Sequence, residues 1–300
     1  MKLKNLTLLA CMASAQPALA NIDIQFDYTY DSNSFFADQA RRDVLEAAAS
    51  IFESRFTDTL TAIDSSGSNN FTTVFFNPSN PFGLDMTLSS QDIAANAIIV
   101  YAGGANMGGG TLGIGGPGGF GCSGSFSFCS DANLDRGQGA TSGANPVDVA
   151  PWGGAISFDT TTAWNFSISS GPAFSQYDFY SVAVHELGHL LGFATADSFY
   201  ALVSGGNFNG PTTGTVALFG DESHWAPGTM STVNGNPQEA AMDPDIANGQ
   251  RKHFTDLDFA AMKDIGWQVT AVPEADSWAM LLAGLGMVGF AARRRVRQIA

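Results

Sequence analysis

Apolar and polar residues alternate through residues 22–30, the period of a half-buried strand. Over residues 37–56 the period lengthens, and Ala40, Val44, Ala47, Ala48, Ile51, Phe52 and Phe56 fall on one face of a helix. Residues 71–76 and 97–101, rich in β-branched and aromatic side chains, predict two further strands. Residues 103–121 are glycine-rich. They lack the Gly-Lys-Ser/Thr ending and the following helix of a phosphate loop, and so predict a surface loop. A strand is expected at residues 155–159 and a long helix at 177–193. Residues 193–225 hold no sustained period and contain Gly205, Gly206, Gly210 and Pro211, which predicts an irregular excursion. A last helix over 256–264 leads into a short strand ending near Ala271. Strands and a few helices interleave without an internal repeat, the pattern of an α+β domain with a cleft between two parts.

The two ends depart from this pattern. Lys2 and Lys4 precede an apolar stretch over residues 6–13, and Ala18-Leu19-Ala20 offers a small-residue cleavage site. Residues 1–20 thus predict a secretory signal peptide, with a mature chain from Asn21. Leu8-Leu9-Ala10-Cys11 also resembles a lipobox, but the apolar run before Cys11 is short for one. At the other end, residues 278–292 carry no charge and are followed by Arg293, Arg294 and Arg295. As a helix this stretch spans roughly 22 Å, short of the roughly 30 Å hydrocarbon core, a deficit that snorkelling arginine stems reduce.

Composition changes the picture only once those ends are set aside. Without Lys2, Lys4, Arg293, Arg294, Arg295 and Arg297, 7 of 13 basic residues remain; without Glu274 and Asp276, 26 of 28 acidic ones remain. The expected mature region is therefore near −19, a surface that repels nucleic acid and anionic membrane and favours solubility. It also admits calcium, although no ordered carboxylate spacing of the EF-hand kind is present. Cys11 leaves with the signal peptide. Cys122 and Cys129 remain, and in an exported chain that spacing predicts a short-loop disulfide before metal ligation.

The chemistry concentrates in His185-Glu186-Leu187-Gly188-His189. Residues four apart share one face of a helix, so two imidazoles there can grip one divalent ion. Glu186, beside the first of them, can take a proton from water and pass it to a leaving amine without binding the ion. Val182, Ala183, Leu187, Leu190 and Leu191 provide an apolar body that anchors the helix. A catalytic zinc site usually has a third protein ligand. His224 and His253 are the remaining histidines.

With Gly192 following at the spacing of a helix-ending glycine, the motif resembles the metzincin zinc metallopeptidases. Those enzymes most often place a third histidine three residues after the glycine, where this chain has Thr195; some use Asp, which makes Asp197 a candidate, two residues late in spacing. Ser223-His224-Trp225, with Met242 in Ala241-Met242-Asp243-Pro244 beyond it, resembles instead the leishmanolysin branch, in which an insertion precedes the third histidine. That resemblance implies His185, His189 and His224 as zinc ligands, Glu186 as general base and Met242 as the Met-turn, with Met230 a weaker competitor. It implies a mixed twisted sheet, a long active-site helix and an irregular C-terminal part. It also implies an edge strand that pairs with substrate, which would lie near Trp152, Phe158 and Trp164, aromatics that equally suit packing under the active-site helix; Tyr177 and Tyr180 are candidate oxyanion donors. Val272-Pro273-Glu274, the short apolar stretch and the arginine cluster resemble PEP-CTERM sorting tails of Gram-negative bacteria. The domain is thus expected over 21–271 and the tail over 272–300, a transient inner-membrane anchor processed by an exosortase-like partner. The expected activity is that of a secreted zinc endopeptidase acting on protein or peptide. A non-catalytic matrix or surface protein with a structural zinc site is the alternative.

Overall fold

The computed structural model describes residues 22–130 and 134–270. Residues 1–20, expected to be a signal peptide and holding Cys11, and the PEP-CTERM-like tail with its short apolar stretch lie outside the described residues. Among the described residues no helix is long and apolar enough to cross a membrane.

The first strand, β1 (Asp23–Asp27), runs parallel to β4 (Ala97–Ala105), with Asp23 opposite Ala97 and Asp27 opposite Tyr101. Between them in sequence stand α1 (Gln39–Glu53) and the antiparallel pair β2 (Asn70–Phe75) and β3 (Met86–Leu88). Asp38 caps α1 by accepting from the Ala40 N–H at 2.9 Å. Its buried face is Val44, Leu45, Ala48, Ala49 and Phe52. The face expected from sequence is therefore rotated: Ala40 is exposed and Ala47 half-buried. Alanine adds little to an apolar stripe, so the larger Leu45 and Phe52 decide which side turns inward.

The glycine-rich stretch is not a surface loop. It contains β5 (Gly113–Pro117) and β6 (Gly119–Ser123), two strands broken only at Gly118. β6 pairs antiparallel with β2, giving a three-stranded sheet in the order β3-β2-β6. β5 pairs antiparallel with β7 (Gly153–Asp159), which is itself parallel to β4. The main sheet is thus mixed, in the order β1-β4-β7-β5. Every residue of β7 is buried, so the edge strand is β5 and not the segment around Trp152, Phe158 and Trp164. Those aromatics belong to the core: Phe158 stands 4.5 Å and Trp164 5.5 Å from the Phe179 ring, measured between centroids.

After the short parallel pair β8 (Trp164–Asn165) and β9 (Tyr177–Asp178) comes α2 (Phe179–Leu190), which packs on β5, β7 and α1. It is shorter at both ends than the 177–193 expectation. Asp178 caps its start, and Gly192, at φ +115, turns the chain away at its end. The segment expected to be irregular carries one helical turn, α3 (Asp197–Tyr200), and an antiparallel sheet of β10 (Val203–Ser204), β11 (Asn207–Gly210) and β12 (Gly214–Ala217). A hairpin of β13 (Met230–Val233) and β14 (Asn236–Glu239) and then α4 (Asp256–Asp264) follow. The C-terminal part is therefore less irregular than expected. Thr255 and Asp258 form a reciprocal capping box at the start of α4, and Val269 closes the domain by an antiparallel bridge to Phe56.

Candidate metal centre and cleft

The position of α2 is fixed from its first turn. The fully buried Asp178 carboxylate accepts from the Ser181 hydroxyl at 2.7 Å and from Asn165 at 3.1 Å. Arg251 closes a two-pronged pair on it, Nε to Oδ2 at 2.9 Å and Nη2 to Oδ1 at 2.7 Å. One turn further along, His185 and His189 project from the same side, their Nε2 atoms 3.1 Å apart. His224 brings its Nε2 to 3.3 Å from that of His189, so the three ligand atoms lie within 4.8 Å of one another.

Each ring is held from behind. His185 Nδ1 lies 2.7 Å from the Ala241 carbonyl oxygen, His189 Nδ1 3.0 Å from that of Phe193, and His224 Nδ1 2.8 Å from Asp221 Oδ2. All three partners can only accept, so Nδ1 carries the proton in each ring and the three Nε2 atoms present lone pairs to one another. Three acceptors at this spacing have no hydrogen to share, and a cation between them resolves the conflict. Two nitrogens each about 2.0–2.1 Å from a tetrahedral zinc ion stand about 3.3 Å apart. The observed separations and the all-imidazole donor set therefore fit zinc. Burial first, then repulsion from His189 and His224, pushes His185 well below the usual histidine range, and burial lowers His189 to about 4. Both rings stay neutral at pH 7, as ligands must.

Glu186, next to His185, lies against β5. Burial raises its carboxyl to about 8, against the opposing effect of the Gly115 N–H. β5 approaches closely enough for this because it lacks side chains there: a Cβ on Gly115 would lie 2.4 Å from the Glu186 carbonyl oxygen, and one on Gly113 2.9 Å from Glu186 Cγ. A cleft of about 310 Å³ opens beside His185, Glu186 and His224, walled by Leu112, Val182 and Ile246.

Met242 is fully buried against α2 at Gly188, which makes room for it, since a Cβ there would stand 2.6 Å from Met242 Sδ. Met230 is 60% exposed and lies outside this arrangement. Asp258, not singled out from sequence, ties the centre together. Its buried carboxylate accepts from Trp225 Nε1 at 2.8 Å, Ala241 N at 2.8 Å and Met242 N at 3.3 Å. One group thus anchors the neighbours of both His185 and His224. The legible trace of it was the Thr255-to-Asp258 capping spacing.

Several other candidates stand elsewhere. The His253 ring packs edge-on against Tyr180 at 5.4 Å, apart from the three-histidine cluster, so Tyr180 is not in the cleft; Tyr177 does line it. Asp197 is exposed at the start of α3, and the Thr195 hydroxyl donates to the His189 carbonyl oxygen at 2.6 Å. Cys122 and Cys129 form the expected disulfide. Among the described residues the three histidines are the one cluster of three or more metal-ligating groups, and calcium gains no support.

The matrixin family model matches residues 130–205, and the PEP-CTERM protein-sorting motif matches residues 271–295. No curated protein and no solved structure matches the chain. Both parts of the resemblance, to metzincin-type zinc peptidases and to PEP-CTERM sorting tails, are thereby supported. The matrixin match includes His185 and His189 and ends before His224. The sorting motif implies export, recognition by an exosortase and a surface or secreted location in a Gram-negative bacterium.

Proposed function

We propose that the protein is an exported zinc endopeptidase in which His185, His189 and His224 hold the metal and Glu186 is the general base. The observation that carries this reading is the convergence of three Nε2 lone pairs, each fixed by an acceptor behind the ring, beside a cleft that His185, His224 and Glu186 line. A zinc ion supplies Lewis acidity, lowering the pKa of water and polarising a carbonyl. Glu186 takes the proton of the attacking water and returns it to the departing amine nitrogen. Burial makes the Glu186 carboxylate a stronger base than an exposed glutamate, and the positive charge of a metal held beside it would favour the ionised form that accepts the proton. Met242 provides an apolar floor, and Gly188 keeps it in contact with the helix.

β5 ends the main sheet, so its outer edge is open to an extended peptide that adds as a further strand. The cleft walled by Leu112, Val182 and Ile246 would then receive a side chain next to the scissile bond. Residues 1–20 would act as the export signal and 272–300 as the transient anchor that an exosortase removes. A structural zinc site is less well supported, since it has no use for a buried carboxyl on a cleft wall beside its ligands.

The test is peptide-bond cleavage by the zinc-loaded protein and its Glu186→Gln variant. The variant is expected to keep its zinc and lose about 10²- to 10⁴-fold in kcat. Equal turnover by the two proteins would end the enzyme reading.

A further inference from the structure

The three imidazoles differ in what stands behind them. His185 and His189 lean on main-chain carbonyl oxygens, of Ala241 and Phe193, whereas His224 leans on a side chain, the Asp221 carboxylate. His224 is also the ligand contributed from outside α2, on a turn rather than a helix. That turn is narrow: Leu218 and Trp225 form an antiparallel bridge, the Phe219 N–H donates to the His224 carbonyl oxygen at 2.8 Å, and Glu222 sits at φ +56. Trp225 roots it in the core, fully buried. Beyond that root the His224 ring meets the rings of His185 and His189, at 5.2 Å and 5.0 Å between centroids, and its side chain is 20% exposed.

Asp221 uses both its oxygens. Oδ1 accepts from the Ser223 N–H at 2.8 Å, which shapes the turn, and Oδ2 accepts from His224 Nδ1 at 2.8 Å, which orients the ring. A carboxylate can accept at both oxygens at once; an amide has one acceptor oxygen and one donor nitrogen. We infer that Asp221 is the positioning residue of the metal centre: it locks His224 in the tautomer whose Nε2 is free to bind, and so sets how tightly the metal is held. This rests on the three-imidazole reading above. It assigns the metal affinity of a ligand on a surface turn to a hydrogen bond from behind it, a role in which outer partners are typically worth 10- to 100-fold.

The two readings separate in one set of zinc titrations by chelator competition, made on the full chain and on His224→Ala, Asp221→Ala and Asp221→Asn. The expected result is that both Asp221 variants weaken zinc binding by about 10- to 100-fold. The asparagine variant is the informative one. If its oxygen keeps the Ser223 N–H, its NH2 faces Nδ1 and drives the ring to the Nε2–H tautomer, which cannot bind. A residue needed only for the turn would tolerate that exchange, so wild-type zinc affinity in Asp221→Asn overturns the inference. If His224→Ala weakens binding and neither Asp221 variant does, Asp221 alone has been misread. Wild-type affinity in His224→Ala sinks the three-imidazole reading, and this inference with it. Should Asp221→Asn also lower the unfolding midpoint of the metal-free protein, the ¹⁵N shifts of the His224 ring in metal-free wild type decide. A protonated Nδ1 upholds the inference, and a protonated Nε2 overturns it.

Discussion

α2 and β5 lie against each other and meet at Glu186, yet they are specified in opposite ways. α2 is specified by what its side chains do. His185 and His189 share a face, Leu187, Leu190 and Leu191 fill the core behind them, and Asp178 holds the first turn. β5 is specified by what is missing, because Gly113 and Gly115 let a backbone lie where any Cβ would strike the helix. A functional element written in side chains can be read locally. One written in their absence can be read only once its neighbour is known.

The side-chain-written region is the more easily broken. Arg251 is the partner of a carboxylate with no exposure, and removing it leaves that charge buried beside Asn165 and Ser181. Arg251→Ala is expected to cost about 3–5 kcal/mol, measured by denaturant unfolding. Because Asp178 caps α2, zinc affinity should fall along with stability. A loss under 1 kcal/mol would mean that the cap is held by Asn165 and Ser181 alone, and that α2 is anchored by its apolar body.

That difference also decides how much could be read from the chain. His185, Glu186 and His189 were legible because four-residue spacing on a helix is a local rule. The helix over 256–264 and the disulfide were legible for similar reasons of short range. His224 was found only through resemblance, since 35 residues separate it from His189 and no period links them. Asp178 and Arg251 pair across 73 residues, and nothing in the neighbourhood of either announces the other. The strands within 103–121 escape a reading of the sequence because glycine supplies neither alternation nor the β-branched and aromatic side chains that mark a strand. Of the two roles open to Trp152, Phe158 and Trp164, substrate edge or packing under the helix, the structure shows core packing.

β5 itself can be tested by adding what it lacks. Gly115 and Gly116 are neighbours in sequence and face opposite sides of the sheet. A Cβ on Gly115 meets the Glu186 backbone, which cannot swing aside as a flexible side chain would; one on Gly116 meets nothing within 4 Å. Gly115→Ala is expected to cost about 1–3 kcal/mol by forcing strand and helix apart. It should also lower peptide cleavage more than that loss of stability explains, because it displaces Glu186. Gly116→Ala should be neutral or gain up to about 1 kcal/mol. Equal effects at the two positions would show that the close approach of β5 to α2 is not what these glycines are for.

The smallest effect lies at the junction of the two regions and is read in metal-free protein as a function of pH. Burial raises Glu186 from its ordinary 4.5 to about 8, so the folded chain holds a proton that the unfolded chain releases. Stability from this group is fully present below pH 4.5 and is lost as pH rises toward 8. His185 and His189, lowered by burial, act in the opposite sense: the unfolded chain binds protons there that the folded chain does not, so they add stability as pH rises toward 6.5. Wild type alone therefore shows a partly cancelled profile. The difference between wild type and Glu186→Gln isolates the carboxyl. Between pH 5 and pH 6 the variant should gain about 1 kcal/mol on wild type, by denaturant unfolding in the presence of chelator. A flat difference would mean that water in the cleft solvates Glu186 as well as bulk solvent does. β5 would then be no effective wall, and the protonated carboxyl it encloses would have to be given up.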